Sequence, residues 1–211
     1  AASDVYKRQP LHFATHVPGD GGDDPALTWN LWWVRYAILD LRTSPFYCRY
    51  MFYPIGINLA FYTLTVLNGV LSIPLQFAFG LVPASNIILL SSFALSAFGA
   101  YLLARSVGRY RSRMAPFLAG LIYGYASCKL FYAALGQFNI ASSQWMPFFA
   151  LAMLRLGKRD GAKWALIGAL FLLFQAWAEM TFASFLLLLT AFYAIWVLAF
   201  RLHPPRPFLL H

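Results

Sequence analysis

Charge is what this chain has least of: Asp, Glu, Lys and Arg together make up 11% of its 211 residues, and only seven of them are acidic. A soluble domain carries about 25% charged residues, so an ordinary water-facing globular surface is excluded. Cysteine is equally sparse. Cys48 and Cys128 stand far apart, without His or Cys at ligand spacing, and leave no ground for a disulfide framework or a cysteine-based metal site. The sixteen Lys and Arg residues give a net charge of +9, but they fall largely in short clusters between apolar runs. No basic face with interleaved polar base-readers can be drawn, which argues against a nucleic-acid partner and makes the clusters topology signals. What fills the chain is apolar, at 61% hydrophobic and 18% aromatic. This is the composition of an integral membrane protein, and the expected fold class is all-α, a polytopic transmembrane helix bundle with extracytoplasmic interfacial helices.

The runs and loops define a topology. Ala84 to Ala104 is 21 residues without a charge, about 30 Å of helix and one bilayer core. Arg105, Arg109, Arg111 and Arg113 follow. Met114 to Ser127 is short and reaches span length only by continuing past Lys129, whose amine would snorkel to the interface. Ile140 to Leu154, Trp164 to Ala178 and Thr181 to Phe200 are the next apolar runs, with Arg155, Lys158, Arg159 and Lys163 between the first two and Arg201, His203 and Arg206 after the last. The positive-inside rule puts the three basic loops in the cytoplasm and the near-uncharged turns at 130–139 and 179–180 outside. Five crossings then begin at Ala84, Met114, Asn139, Trp164 and Thr181. Ile57 to Phe79 is apolar but carries Asn58, Asn68, Pro74 and Gln76, costly in lipid. It reads as one or two interfacial or re-entrant helices, which leaves everything before Ala84 outside.

The expected organisation is a non-native or disordered leader at 1–15, an extracytoplasmic acidic loop with interfacial helices at 16–83, the bundle at 84–202 and a truncated cytoplasmic tail at 203–211. Three of the seven acidic residues fall in His16-Val17-Pro18-Gly19-Asp20-Gly21-Gly22-Asp23-Asp24-Pro25. The glycines let such a segment fold back and aim several carboxylates at one spot. One carboxylate can serve as general base on an acceptor hydroxyl while a neighbour holds a divalent metal, magnesium or manganese, against a phosphate. Asp20, Asp23 and Asp24 are the candidates for catalysis, Asp23 and Asp24 for the metal. The plainer alternative is that Asp24 caps a helix whose first residue is Pro25 while Asp20 and Asp23 are solvated turn residues. His12 and His16 stand near enough to be ligands.

From Pro25 to Asp40, Leu27, Leu31, Val34, Ile38 and then Leu41 recur at helical spacing, with Arg35 and Arg42 seven apart beside that stripe. Trp29, Trp32, Trp33 and Tyr36 crowd the same helix, which is expected to lie flat at the membrane surface. Glu179, in the turn between two apolar helices, is a candidate functional residue, the plainer alternative being a hydrated loop carboxylate. Lys129, Gln137 and Asn139 share its side and, with Arg35 and Arg42, are the candidates for contact with phosphate or sugar hydroxyls.

Four features taken together resemble the GT-C superfamily of polytopic glycosyltransferases, which includes bacterial protein mannosyltransferases and lipid A aminoarabinose transferases. They are the acidic loop running into Trp29-Asn30-Leu31-Trp32-Trp33, the turn Tyr53-Pro54-Ile55-Gly56, Gly99-Ala100-Tyr101-Leu102-Leu103-Ala104-Arg105 closing a span, and Ala119-Gly120-Leu121-Ile122-Tyr123-Gly124 opening the next. The resemblance covers most of residues 16–200. It implies a catalytic aspartate in the first extracytoplasmic loop, a polyprenyl-phosphate-linked sugar as donor, transfer with inversion, and a place in the bacterial plasma membrane. The family's usual first span before the acidic loop is absent here, and Gln137 stands where related sequences often have a histidine after glycine. A transporter or flippase of a lipid-linked intermediate is the rival expectation. It would place polar residues at mid-membrane on broken helices, and the sequence places no charge near the centre of a span.

Overall fold

The computed structural model describes residues 12–19, 21–108, 112–158 and 161–202, with side chains to residue 199. Pro25 sits in the first turn of the first helix, α1 (Asp24–Arg35), where its missing N–H costs nothing. The helix starts one residue earlier than the sequence suggests: Asp24, the expected cap, is its first residue, and Asp23 precedes it without a side-chain cap bond. A π-helical turn, Tyr36–Asp40, continues α1, with the Leu41 N–H donating to the Tyr36 carbonyl at 3.0 Å. Arg42 follows at φ 53, outside the helix. It therefore does not share a face with Arg35: the chain has already turned towards Ser44-Pro45, which cannot continue a helix.

Strands β1 (Tyr47–Cys48) and β2 (Ile57–Asn58) pair antiparallel, and the Tyr53-Pro54-Ile55-Gly56 turn lies between them. Helix α2 (Val66–Phe79) is 14 residues, about 21 Å and too short to cross a bilayer core alone. Its buried face includes Asn68, Ser72 and Gln76, four residues apart, while Val70, Leu71, Phe77 and Phe79 are exposed. This is the reverse of a soluble amphipathic helix. Of the residues that looked costly in lipid, Asn68 and Gln76 point into the protein, where the Gln76 Nε2 donates to the Leu31 carbonyl at 2.9 Å and the Asn68 Nδ2 to the Ser142 Oγ at 3.0 Å, whereas Asn58 in β2 and Pro74 are exposed.

Gly80, at φ 87, separates α2 from α3 (Leu81–Val107), the longest helix at 27 residues. Then come α4 (Met114–Gly124), α5 (Ser127–Ala134), α6 (Phe138–Ala141), α7 (Met146–Gly157), α8 (Lys163–Ala178) and α9 (Met180–Leu202). Three stretches are long and apolar enough to cross a membrane: Leu81–Val107, Met114–Ala134 and Met180–Ala199. On that ground, among the described residues, the protein is a predominantly helical integral membrane protein with almost no strand. Two of the five expected crossings are shorter, since α8 has 16 residues and α7 only 12, the latter because Gly136 and the 142–145 turn interrupt the apolar run. On α9 the large residues Phe185, Leu188, Phe192, Ile195 and Trp196 all face outward, a surface suited to lipid and not to water.

The α3–α4 contact explains two of the glycines in the opening motifs. A Cβ on Gly120 would stand 2.6 Å from the Ala97 carbonyl oxygen, and one on Gly124 equally close to the Ala97 Cβ. Small residues let two apolar helices approach until backbones touch, the main source of helix association in lipid. Helix α1 packs on α2 and more lightly on α3. Leu27, Leu31, Trp33 and Val34 are buried, and the Trp33 Nε1 donates to the Pro45 carbonyl at 2.9 Å. The expected stripe is thus covered by protein as far as Val34 and fades beyond it, with Leu41 exposed.

The candidate site at the acidic end

The helices return so that opposite charges collect at opposite ends. At one end Lys158 Nζ donates to the Ser106 carbonyl at 3.0 Å, tying the loop after α7 to the loop after α3. At the other end the acidic loop meets the turn after α5. Gly136, at φ 79, closes that turn, and a Cβ there would stand 2.5 Å from the Asp24 Cβ. Glycine is required twice over, for the left-handed backbone and for the close approach. The next residue completes the junction: the Gln137 Nε2 donates to the Asp23 Oδ2. Asp24 turns its carboxylate the other way and accepts the Gly21 N–H on Oδ1 at 2.9 Å. The loop is fixed by its own backbone on one side and by a turn more than a hundred residues away on the other.

Two residues past Gln137, the Asn139 Nδ2 donates to the Glu179 Oε2 at 2.8 Å, and the other carboxylate oxygen accepts the Thr181 N–H at 3.2 Å. Glu179 is only 9% exposed. The 136–139 turn therefore holds Asp23 with one amide and Glu179 with another. Both partners are neutral donors. Behind Asn139 a buried polar seam continues, with the Ser142 Oγ bound to Asn68 and to the Phe138 carbonyl, and the Gln175 Nε2 donating to the Ser142 carbonyl at 3.0 Å.

Of the expected site residues, Asp23 pairs with Gln137, Glu179 pairs with Asn139, and Asp24 packs against Gly136 of the same turn. Asp20 lies outside the described residues. Arg35 ends α1, half-buried with its guanidinium 5.7 Å over the Phe77 ring, about 17 Å along the helix from Asp24. Arg42 is exposed beyond it. His12 and His16 face each other at 5.1 Å between ring centroids, and the His16 Nδ1 is 2.8 Å from the Thr15 hydroxyl. Asn86 Nδ2 donates to the Phe13 and His16 carbonyls, which ties this segment to α3. Among the described residues no three His, Cys, Asp or Glu side chains gather as metal ligands.

Lys129 departs furthest from expectation. It does not snorkel: it is 7% exposed, and its Nζ donates to the Ser96 Oγ at 2.6 Å in the middle of α3, with the Phe93 and Tyr123 rings 5.1 and 5.8 Å away. The reason is the break at Tyr125–Ala126, which starts α5 as a new helix and swings Lys129 inward. A buried ammonium held by one hydroxyl and two rings is sensitive to loss of that hydroxyl. Ser96→Ala is expected to lower stability by about 1.5–3 kcal/mol, whereas Lys129→Met, which removes the charge and keeps the volume, is expected to leave it unchanged or raise it. Thermal unfolding in detergent distinguishes the two, and equal losses in both variants would contradict the assignment.

Comparison of the chain with protein families, curated proteins and solved structures finds no match.

Proposed function

We propose that this chain belongs to a membrane glycosyltransferase of the GT-C type, moving a sugar from a polyprenyl-phosphate donor to a lipid or protein hydroxyl at the extracytoplasmic face of a bacterial plasma membrane. The observation that carries the reading is the junction of the acidic loop with the 136–139 turn, through Asp23 to Gln137 and Asp24 against Gly136. It gathers carboxylates at the end of the bundle opposite the basic loops, the end that the positive-inside rule assigns to the outside. The five-crossing topology and the interfacial role of α1 and α2 belong to this proposal.

In the reaction, Asp23, or Asp20 of the same sequence motif, takes the proton of the acceptor hydroxyl as that oxygen attacks the anomeric carbon. The bond from the anomeric carbon to the phosphate oxygen breaks on the opposite face, and polyprenyl phosphate departs as an anion, which gives inversion. Gln137 fixes the direction of the Asp23 carboxylate, so that its free lone pairs meet the hydroxyl in one geometry. Arg35, at the far end of α1, and Arg42, beyond it, are assigned to anchoring lipid phosphate and not to the reacting atoms. A magnesium or manganese ion would use Asp23 and Asp24, but two carboxylates are too few for a closed site.

The test is sugar transfer by the full-length protein in liposomes, supplied with a panel of polyprenyl-phosphate sugars and a lipid or peptide acceptor. Transfer from at least one donor is expected, and none from any would overturn the reading. One observation favours the transporter alternative: Lys129 is a buried cation on a broken helix beside the middle of α3, the type of feature that transporters use. Movement of a labelled lipid-linked sugar across the liposome membrane without transfer would select it.

A further inference from the structure

Between the segment before α2 and the α8–α9 turn lies a cavity of about 280 Å³. Glu179, Thr65, Thr181, Ser184, Trp177 and Phe61 are among the residues that line it. Two of its groups are built for a ligand. Glu179 is held on both oxygens, by Asn139 and by the Thr181 N–H, and each oxygen keeps acceptor capacity for a further donor. Thr65 immediately precedes α2, where a threonine hydroxyl ordinarily accepts a first-turn N–H. Here it makes no such cap, and its Oγ1 is buried without a hydrogen-bond partner in a residue only 4% exposed. Leaving a buried hydroxyl unpaired costs about 1–3 kcal/mol, a cost that a bound donor or acceptor removes.

The rest of the lining decides the ligand's chemistry. Among the described residues no Lys or Arg lines the cavity, and a carboxylate does, so a phosphate or other anion is disfavoured. Trp177 and Phe61 present exposed aromatic surface beside the hydroxyls. An apolar ring face next to a fixed carboxylate and several hydroxyls suits a pyranose, which has C–H faces and a rim of donors. The volume of about 280 Å³ falls just below the roughly 300–1,000 Å³ that holds drug-sized ligands, enough for one ring and not for an oligosaccharide. We infer that this cavity binds a single pyranose, its hydroxyls donating to Glu179 and pairing with Thr65, and its C–H face against Trp177. The inference rests on the glycosyl-transfer reading and gives that reading a sugar subsite two residues along the 136–139 turn from Asp23.

The probes are methyl β-D-glucopyranoside and methyl α-D-mannopyranoside, added to the full-length protein in nanodiscs and followed by saturation-transfer NMR. Saturation of ring protons is expected for at least one glycoside, weakened about tenfold or more in Glu179→Gln and Thr65→Val, since a hydrogen bond to a charged group contributes about 1.5–3 kcal/mol. Thr65→Val keeps shape and removes a hydroxyl that bonds nothing in the protein, so its unfolding temperature should not fall. Absence of saturation for both glycosides, or equal binding in both variants, overturns the inference. Asp23→Asn should leave glycoside binding intact. Glycosides that bind as expected, without transfer from any polyprenyl donor, uphold the cavity and sink the transferase reading; transfer that is indifferent to Thr65→Val and Glu179→Gln does the opposite.

Discussion

Replacing Asp23 by Asn in the full-length protein is expected to lower sugar transfer from a polyprenyl-phosphate donor by about 10²–10⁴-fold, the usual worth of a positioned general base. Asn keeps the shape of the side chain and an oxygen to accept the Gln137 amide, so the loop stays docked. What it loses is the ability to take a proton. Donor binding, read as KM, should change little while kcat falls, because the proton moves only in the transition state. Asp24→Asn is expected to cost less, since its Oδ1 serves the Gly21 N–H and its backbone packs against Gly136, functions that an amide also fulfils. If Asp20→Asn, Asp23→Asn and Asp24→Asn all retain full transfer, the catalytic assignment fails.

The second large effect is on stability. Asn139→Leu is expected to destabilise the protein by about 2–3 kcal/mol, because it leaves a nearly buried Glu179 carboxylate with the Thr181 N–H as its remaining partner at 3.2 Å. The loss should shrink when Glu179→Gln is added, since a neutral amide is far cheaper to bury than a carboxylate. A double-mutant cycle on thermal unfolding reads this coupling directly. Additive losses would mean that Asn139 acts through packing and not through the carboxylate.

The legible part of the fold was what period and composition encode. The uncharged run at 84–104 became α3, Pro25 marked the start of α1, and of the residues that made 57–79 an unconvincing crossing, Asn68 and Gln76 lie on a short helix, turned inward together with Ser72. Their four-residue spacing already described one polar face. What it did not carry was the partner, Ser142, which the fold brings from 74 positions away. Lys129 was misplaced for a local reason: an apolar run shows no sign of a two-residue break at Tyr125–Ala126, and the break decides whether the amine snorkels or turns to Ser96. The acidic loop was found from its aspartates and glycines, yet its docking depends on Gly136 and Gln137, residues of ordinary turn chemistry until Asp24 is set against them. Thr65 was missed altogether, because a threonine before a helix signals a cap, and only coordinates show that the cap is not made.

The account turns on the acidic loop and the 136–139 turn facing the outside of the cell. Asp23→Cys in the full-length protein, treated in intact cells with a membrane-impermeant thiol reagent, tests this directly against a Cys48→Ser, Cys128→Ser background. Labelling from outside, without permeabilisation, is the predicted result. Labelling that appears only after the cytoplasmic face is opened would contradict the topology and, with it, the assignment of Asp23 to chemistry on an extracytoplasmic sugar donor.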